Sequence, residues 1–149
     1  MKFSAEELNI IRQADAIIAG KITATDFITG ADAARSLLRF SLAAEPREMF
    51  YAFFLNTRYG VIAFEELFKG TINNVTIYPR VVLQRALYHN AAAVVLAHNH
   101  PSASTDPSQA DKLITERLVK VLGMVDIKVL DHLIVGGSEI YSFAEHGLI

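Results

Sequence analysis

The chain has 149 residues, 52% hydrophobic and 20% charged, about one globular domain's worth, and a domain of this size folds without a metal or disulfide to staple it. With no cysteine, it cannot carry a disulfide scaffold, a thiolate zinc site, an iron–sulfur cluster or a cysteine nucleophile. Fourteen Lys and Arg against sixteen Asp and Glu leave a formal charge of −2, spread along the chain rather than blocked, which argues against nucleic acid or an anionic membrane as a partner.

The first residues bring Glu6 and Glu7 where a signal peptide would start its apolar run. Ser4 with Glu7 forms a capping-box signal, and Ile10, Ala14, Ile17 and Ile18 share one helical face, so a first helix is expected near 5–19. After a connector from Gly20 to Gly30, Thr29 and Asp32 repeat the signal ahead of Ala34, Leu37, Leu38 and Leu42, predicting a second helix that ends around Ala44, before Pro46. Glu48 to Leu55 is nearly all apolar and aromatic and predicts a buried strand, with a hairpin turn at Asn56 to Gly60.

Val61 to Phe68 and Val75 to Tyr78 suggest two further strands split by Gly70. Pro79 then opens a helix with Leu83, Ala86 and Leu87 inward. The longest apolar run, Ala91 to Ala97, is far short of the roughly 18 residues a membrane helix needs, and Ala92 to Ala97 suits a buried strand. Pro107 can take the first position of a helix carrying Ile114, Leu118, Val121 and Leu122, stopped by Gly123. Strands near 125–135 and 139–143 complete a mixed sheet with helices packed on it, an α/β chain expected to be soluble, unprocessed and cytoplasmic.

The chemistry concentrates in Ala97-His98-Asn99-His100-Pro101-Ser102. Residues two apart on an extended chain point to the same side, so His98 and His100 at a strand end can converge on one metal. Asp111, in the first turn of the following helix, is a candidate third ligand, and it also suits the helix dipole with no metal. Two His and one Asp would leave a fourth position open, the catalytic arrangement for zinc. Metal-assisted hydrolysis also needs a carboxylate that is not a ligand; Glu48, Glu65 and Glu66 are candidates, and Glu48 stands where an acid is least expected. Ser108 suits either a helix cap or a hydrogen bond to charge developing on a carbonyl oxygen.

His98-x-His100-Pro101, with Ser108 and Asp111 following, resembles the JAMM signature of MPN-domain metalloproteases, the group that includes zinc deubiquitinases. A closer similarity runs from about Arg47 to the C-terminus. Glu48 before an apolar strand, Gly70-Thr71-Ile72-Asn73, Pro79-Arg80, Asn90-Ala91-Ala92-Ala93, His98-Asn99-His100-Pro101-Ser102, Pro107-Ser108, Asp131-His132 and Ser142 resemble the bacterial RadC family, in its short, prophage-type form.

The resemblance implies an MPN fold, similar to the cytidine-deaminase-like mixed sheet between helices. It implies His98, His100 and Asp111 as Zn2+ ligands, Glu48 as general acid/base and Ser108 as hydrogen-bond donor on the oxyanion side. It divides the chain into N-terminal helices over 1–46 and a RadC-like domain over 47–149, expected to form one compact unit. Two departures stand out. Ala103 occupies a position where RadC proteins usually carry Gly, which predicts a differently shaped loop over the metal. The N-terminal helices show no paired Gly-containing turn of the helix-hairpin-helix kind, which removes the usual argument for DNA contact.

The expected activity is zinc-dependent hydrolysis of a peptide, isopeptide or related amide bond in a peptide or protein substrate. The alternative is a metal-holding module without turnover, in a prophage or DNA repair and maintenance setting, to which the RadC name is historically linked. A literal HNH nuclease ranks below both, because its three residues belong to separate elements and its basic groove is missing here. His132 is a candidate partner of a metal ligand, although packed or surface histidines are commoner. His89 and His146 are expected to be structural or solvated, and Arg80 an exposed first-turn cation.

Overall fold

The computed structural model describes residues 3–22, 31–72 and 74–149. At the centre lies β1 (Met49–Leu55), whose alternation sends Met49, Phe53 and Leu55 to one face and Phe50, Ala52 and Phe54 to the other, all fully buried. Burial of each such aromatic or aliphatic side chain stabilises the fold by about 1.5–3 kcal/mol. A strand buried on both sides needs covering layers on both sides. The hairpin partner β2 (Val61–Lys69) forms one edge, followed in space by β1, β3 (Ala93–Asn99), β4 (Lys128–Gly136) and β5 (Glu139–Ser142). Only β3 and β4 are parallel, and the helix joining them, α4 (Gln109–Gly123), is the crossover that a parallel pair requires. The result is the expected mixed sheet between helices.

One face is covered by α2 (Ala31–Leu42), with α1 (Ala5–Ile22) packed on α2; the other is covered by α3 (Pro79–Tyr88) and α4. Ala34, Leu37, Leu38 and Leu42 of α2 are buried as expected. The Ser4–Glu7 capping box also forms, with Glu7 N–H donating to Ser4 Oγ at 3.2 Å and Ser4 N–H to Glu7 Oε2 at 2.7 Å. The second signal, at Thr29 and Asp32, lies outside the described residues and side chains.

Four expectations are corrected. On α1 the inward stripe runs through Leu8, Ile11, Ala14 and Ile18, whereas Ile10 and Ile17 are 59% and 62% exposed; a helix this apolar offers two overlapping stripes, and contact with α2 selects one. Val75 to Tyr78 joins no strand ladder. It runs extended beside the sheet into Pro79, packing Val75 and Ile77 against the core. On α3 the inward residues are Val82 and Ala86, with Leu83 half-buried and Leu87 exposed. Finally, Ser108 and not Pro107 begins α4: Ser108 is its N-cap and Asp111 sits at the third helical position. Gly123 is the last helical residue, and the turn beyond it is closed by Asp126 at φ 61°.

Candidate metal centre

β1 and β3 are antiparallel with Phe50 opposite His98, so continuing the register sets Glu48 opposite His100, on the face that His98 shares. Both residues lie just past the paired region, where the strand ends open into a cleft. The N-terminus of α4 faces the same opening and brings Asp111 over the end of β3, at the crevice beyond the carboxyl ends of parallel strands where α/β proteins build sites. One ligand-type atom from each of Glu48, His98, His100 and Asp111 lies within 4.8 Å of the others. His98 Nε2 and His100 Nε2 are 3.0 Å apart, and each is 3.3 Å from an Asp111 oxygen.

The donor set fits a metal ion. His100 Nδ1–H donates to the Ser104 carbonyl at 2.9 Å, and His98 Nδ1 engages His132 Nε2 at 2.8 Å, so both ligand-side Nε2 atoms face the centre. Two nitrogens and a carboxylate this close need a cation between them. Without a metal, a proton fills that place. Hydrogen bonding to Asp111 raises the pKa of His100 despite its burial. Burial pushes the Asp111 carboxyl up, but the hydrogen bonds it accepts from His100 and Ser108, together with the imidazoles around it, outweigh that and hold the carboxyl far below the usual range.

The linkage follows from these directions. A raised His100 contributes stability that is fully present below its ordinary 6.5 and is lost as pH rises through its higher folded value. A depressed Asp111 contributes stability present above its ordinary 3.8 and lost as pH falls through its lower folded value. The pair therefore stabilises the metal-free chain most between those limits. A metal must displace the His100 proton, so binding near pH 6 is expected to release up to about one proton more than binding near pH 9. Calorimetry in buffers of different ionisation enthalpy measures this, and equal release at both values would contradict it.

Glu48 is only 8% exposed, and burial pushes its carboxyl above the ordinary 4.5 against the pull of His98 and His100. Its backbone is fixed from two sides. Glu48 N–H donates to Thr71 O at 2.7 Å and Gly70 N–H to Glu48 O at 2.8 Å; a side chain on Gly70 would lie 2.0 Å from Asn74 O, so glycine is required there. Asn99, pointing away from the histidines, receives Met49 N–H at 2.7 Å and donates to Arg47 O and Glu45 O at 3.0 and 3.4 Å. Its amide clamps the turn that delivers Glu48 and is unavailable to the centre, which removes the literal HNH reading. Asn99→Ala is expected to destabilise the fold by about 2–3 kcal/mol through buried backbone groups left unpaired; a cost under about 0.5 kcal/mol in denaturant unfolding would show the clamp to be unimportant.

The Ser108 hydroxyl donates to Asp111 Oδ2 at 2.6 Å and accepts Asp111 N–H at 3.1 Å, while Ser108 N–H donates to Oδ2 at 2.7 Å. It therefore caps α4 and lines the cleft at once. Ala103 adopts φ 65°, the left-handed conformation a glycine takes most readily. Gly136 lets the loop lie close, because a side chain there would meet Ala103 O at 2.7 Å. Ala103 thus adopts the backbone conformation that glycine takes most readily, and Ser104 O reaches His100.

The remaining candidates lie elsewhere. Glu65 is held by Arg85 at 2.6 and 2.8 Å and by His89 at 2.6 Å, and Glu66 pairs with Tyr51 and Lys69. His146 stacks on Tyr141, and Arg80 is exposed. Sequence reasoning missed Asn99 and Thr115 and undervalued His132. Thr115 Oγ1–H donates to Asp111 O at 2.6 Å and lies 2.6 Å from His132 Nδ1. Its signal was legible, since Asp111, Thr115, Leu118 and Leu122 form the inward stripe of α4.

The cleft above these residues has a volume of about 440 Å³ and an apolar wall that includes Ile72, Val75, Ile77 and Ile114. Among the described residues, no helix is long and apolar enough to cross a membrane. Several bacterial proteins resemble the chain. It is 60% identical over 121 residues to the UPF0758 protein YeeS of Escherichia coli K12, covering 81% of this chain and 82% of that protein. It is 59% identical over 121 residues to YkfG of the same organism, covering 81% and 77%, and 46% identical over 140 residues to a UPF0758 protein of Nitrosomonas eutropha, covering 94% and 62%. The mixed sheet flanked by helices is the arrangement of an MPN/JAB domain. Residues 28–148 match the model of the RadC-like JAB domain, and the chain belongs to that family.

Proposed function

We propose that the chain is a cytoplasmic zinc-dependent hydrolase of the JAMM type, cutting a peptide, isopeptide or related amide bond in a peptide or protein substrate. The observation that carries the reading is the convergence of His98, His100 and Asp111 beside a buried carboxyl, Glu48, at the floor of an open cleft. Two imidazoles and a carboxylate with an open position are a donor set suited to catalytic zinc, and no thiolate is present to close the site. When bound, zinc would bring the pKa of a water toward neutrality and polarise the scissile carbonyl.

In this reading His98, His100 and Asp111 hold the metal and Glu48 carries the proton. Glu48 takes it from the attacking water and returns it to the leaving amine as the C–N bond breaks, a cycle that a carboxyl with a raised pKa performs well. Ser108 supports the carbonyl oxygen as charge develops on it. Its hydroxyl proton can turn from Asp111 into the cleft while its oxygen still accepts Asp111 N–H at 3.1 Å and keeps the helix cap. The apolar wall of Ile72, Val75, Ile77 and Ile114 receives substrate side chains and excludes water from the reacting groups.

The test is a panel of peptides and isopeptide-linked lysines incubated with the zinc-loaded chain. Cleavage abolished by a chelator and restored by zinc is the expected result. Stoichiometric zinc without turnover of any panel member would favour the binding module.

A further inference from the structure

Behind the candidate metal centre, buried side chains form a relay that nothing in the proposed reaction uses. Thr115 Oγ1 lies 2.6 Å from Asp111 O and 2.6 Å from His132 Nδ1, and His132 Nε2 lies 2.8 Å from His98 Nδ1. Thr115 is 1% exposed, and His132 and His98 are as deeply buried. The direction of every bond follows from donor chemistry. A carbonyl only accepts, so the single hydroxyl proton of Thr115 goes to Asp111 O. The hydroxyl must therefore accept from His132, which places the His132 proton on Nδ1. The bare Nε2 of His132 then accepts from His98, which places the His98 proton on Nδ1 and leaves the Nε2 lone pair facing the centre.

We infer that His132, oriented by Thr115, is a positioning residue that fixes the tautomer of His98 so that Nε2 is preset to ligate a metal. The inference rests on the metal-binding part of the proposed function and extends it to two residues that touch neither metal nor substrate. The ring itself is locked by packing, stacked on Phe143 with centroids 4.9 Å apart and edge-on to Phe50 at 5.6 Å. Metal-ligating histidines ordinarily donate their second N–H to a carboxylate, carbonyl or water. Here the acceptor is another imidazole, which either accepts or donates, so the residue beyond it must decide the direction.

That dependence makes Thr115 a distinctive test. Thr115→Val keeps the shape and removes the acceptor of His132 Nδ1–H. His132 is then expected to move its proton to Nε2 and donate to His98 Nδ1, forcing the His98 proton onto the metal-facing nitrogen. Thr115→Ser keeps the hydroxyl and the wild-type state.

The experiment is ¹⁵N imidazole spectroscopy of the metal-free chain, paired with Zn²⁺ affinity measured against a chromophoric chelator. Wild type and Thr115→Ser should show His98 protonated on Nδ1. Thr115→Val should show it shifted toward Nε2–H, with affinity about tenfold weaker, and His132→Phe, which keeps the ring packing, should weaken affinity by about 10–100-fold. His98 protonated on Nε2 in the wild type, or a Thr115→Val chain with unchanged tautomer and affinity, would overturn the inference. Absence of zinc binding in the wild type would instead sink the metal reading, and the spectra would still decide the tautomer.

Discussion

Glu48→Gln is expected to bind zinc like the wild type and to lose about 10²–10⁴-fold in kcat on any peptide or isopeptide the wild type cleaves. Gln fills the same volume, so the turn clamped by Asn99 and the bonds from Glu48 N–H to Thr71 O and from Gly70 N–H to Glu48 O are untouched. What it lacks is the ability to take and return a proton. The same variant separates two roles that the geometry leaves adjacent, because a Glu48 oxygen lies within 4.8 Å of the three other ligand-type atoms. Were Glu48 a fourth ligand, Gln would weaken zinc binding as severely as a change at Asp111. Cleavage at the wild-type rate would remove Glu48 from the chemistry altogether. Elemental analysis and initial rates on one preparation decide among these outcomes.

Asp111→Asn is expected to weaken zinc binding by at least about 100-fold while leaving the chain folded. The amide oxygen can still accept Ser108 N–H, now 2.7 Å from Oδ2, so the cap on α4 largely survives. The negative charge that draws a cation between His98 and His100 does not. The same change removes the group chiefly responsible for raising the His100 pKa, so the additional proton released on metal binding near pH 6 should fall with it. Chelator competition with circular dichroism as the folding control measures the effect. Affinity within about threefold of wild type would mean that Asp111 serves only as a first-turn acid.

Much of this was legible in the sequence because it rests on local periodicities. The nearly continuous apolar run of β1 foretold a buried strand, and His98-x-His100 foretold two imidazoles on one side of a strand end. Asp111 followed from its place in the first turn of a helix, although Pro107 misled the start of that helix by two residues, since Ser108 provides the cap. Glu48 is different. Its pairing with the centre depends on the register of β1 against β3, a contact between segments 50 residues apart; its place at the mouth of an apolar strand set it apart from Glu65 and Glu66, but its role came from the family resemblance.

Tertiary contacts decided the rest. Val75 to Tyr78 has strand composition, yet it stays outside the ladder and walls the cleft. Asn99 lay in plain view between the two histidines, but its work is on the opposite face, toward a turn far away in sequence. His132 and Thr115 carry no local signal of their relation, because one is on β4 and the other on α4, and only the packing of that helix on that strand joins them.

The proposed function requires a metal held between His98, His100 and Asp111. Its most direct test is the metal content of the purified, tag-free protein after zinc loading and exhaustive dialysis, measured beside His100→Ala with both shown to be folded. About one zinc per wild-type chain and little in the variant is the expected result. No zinc in the wild type, or equal zinc in both, would contradict it.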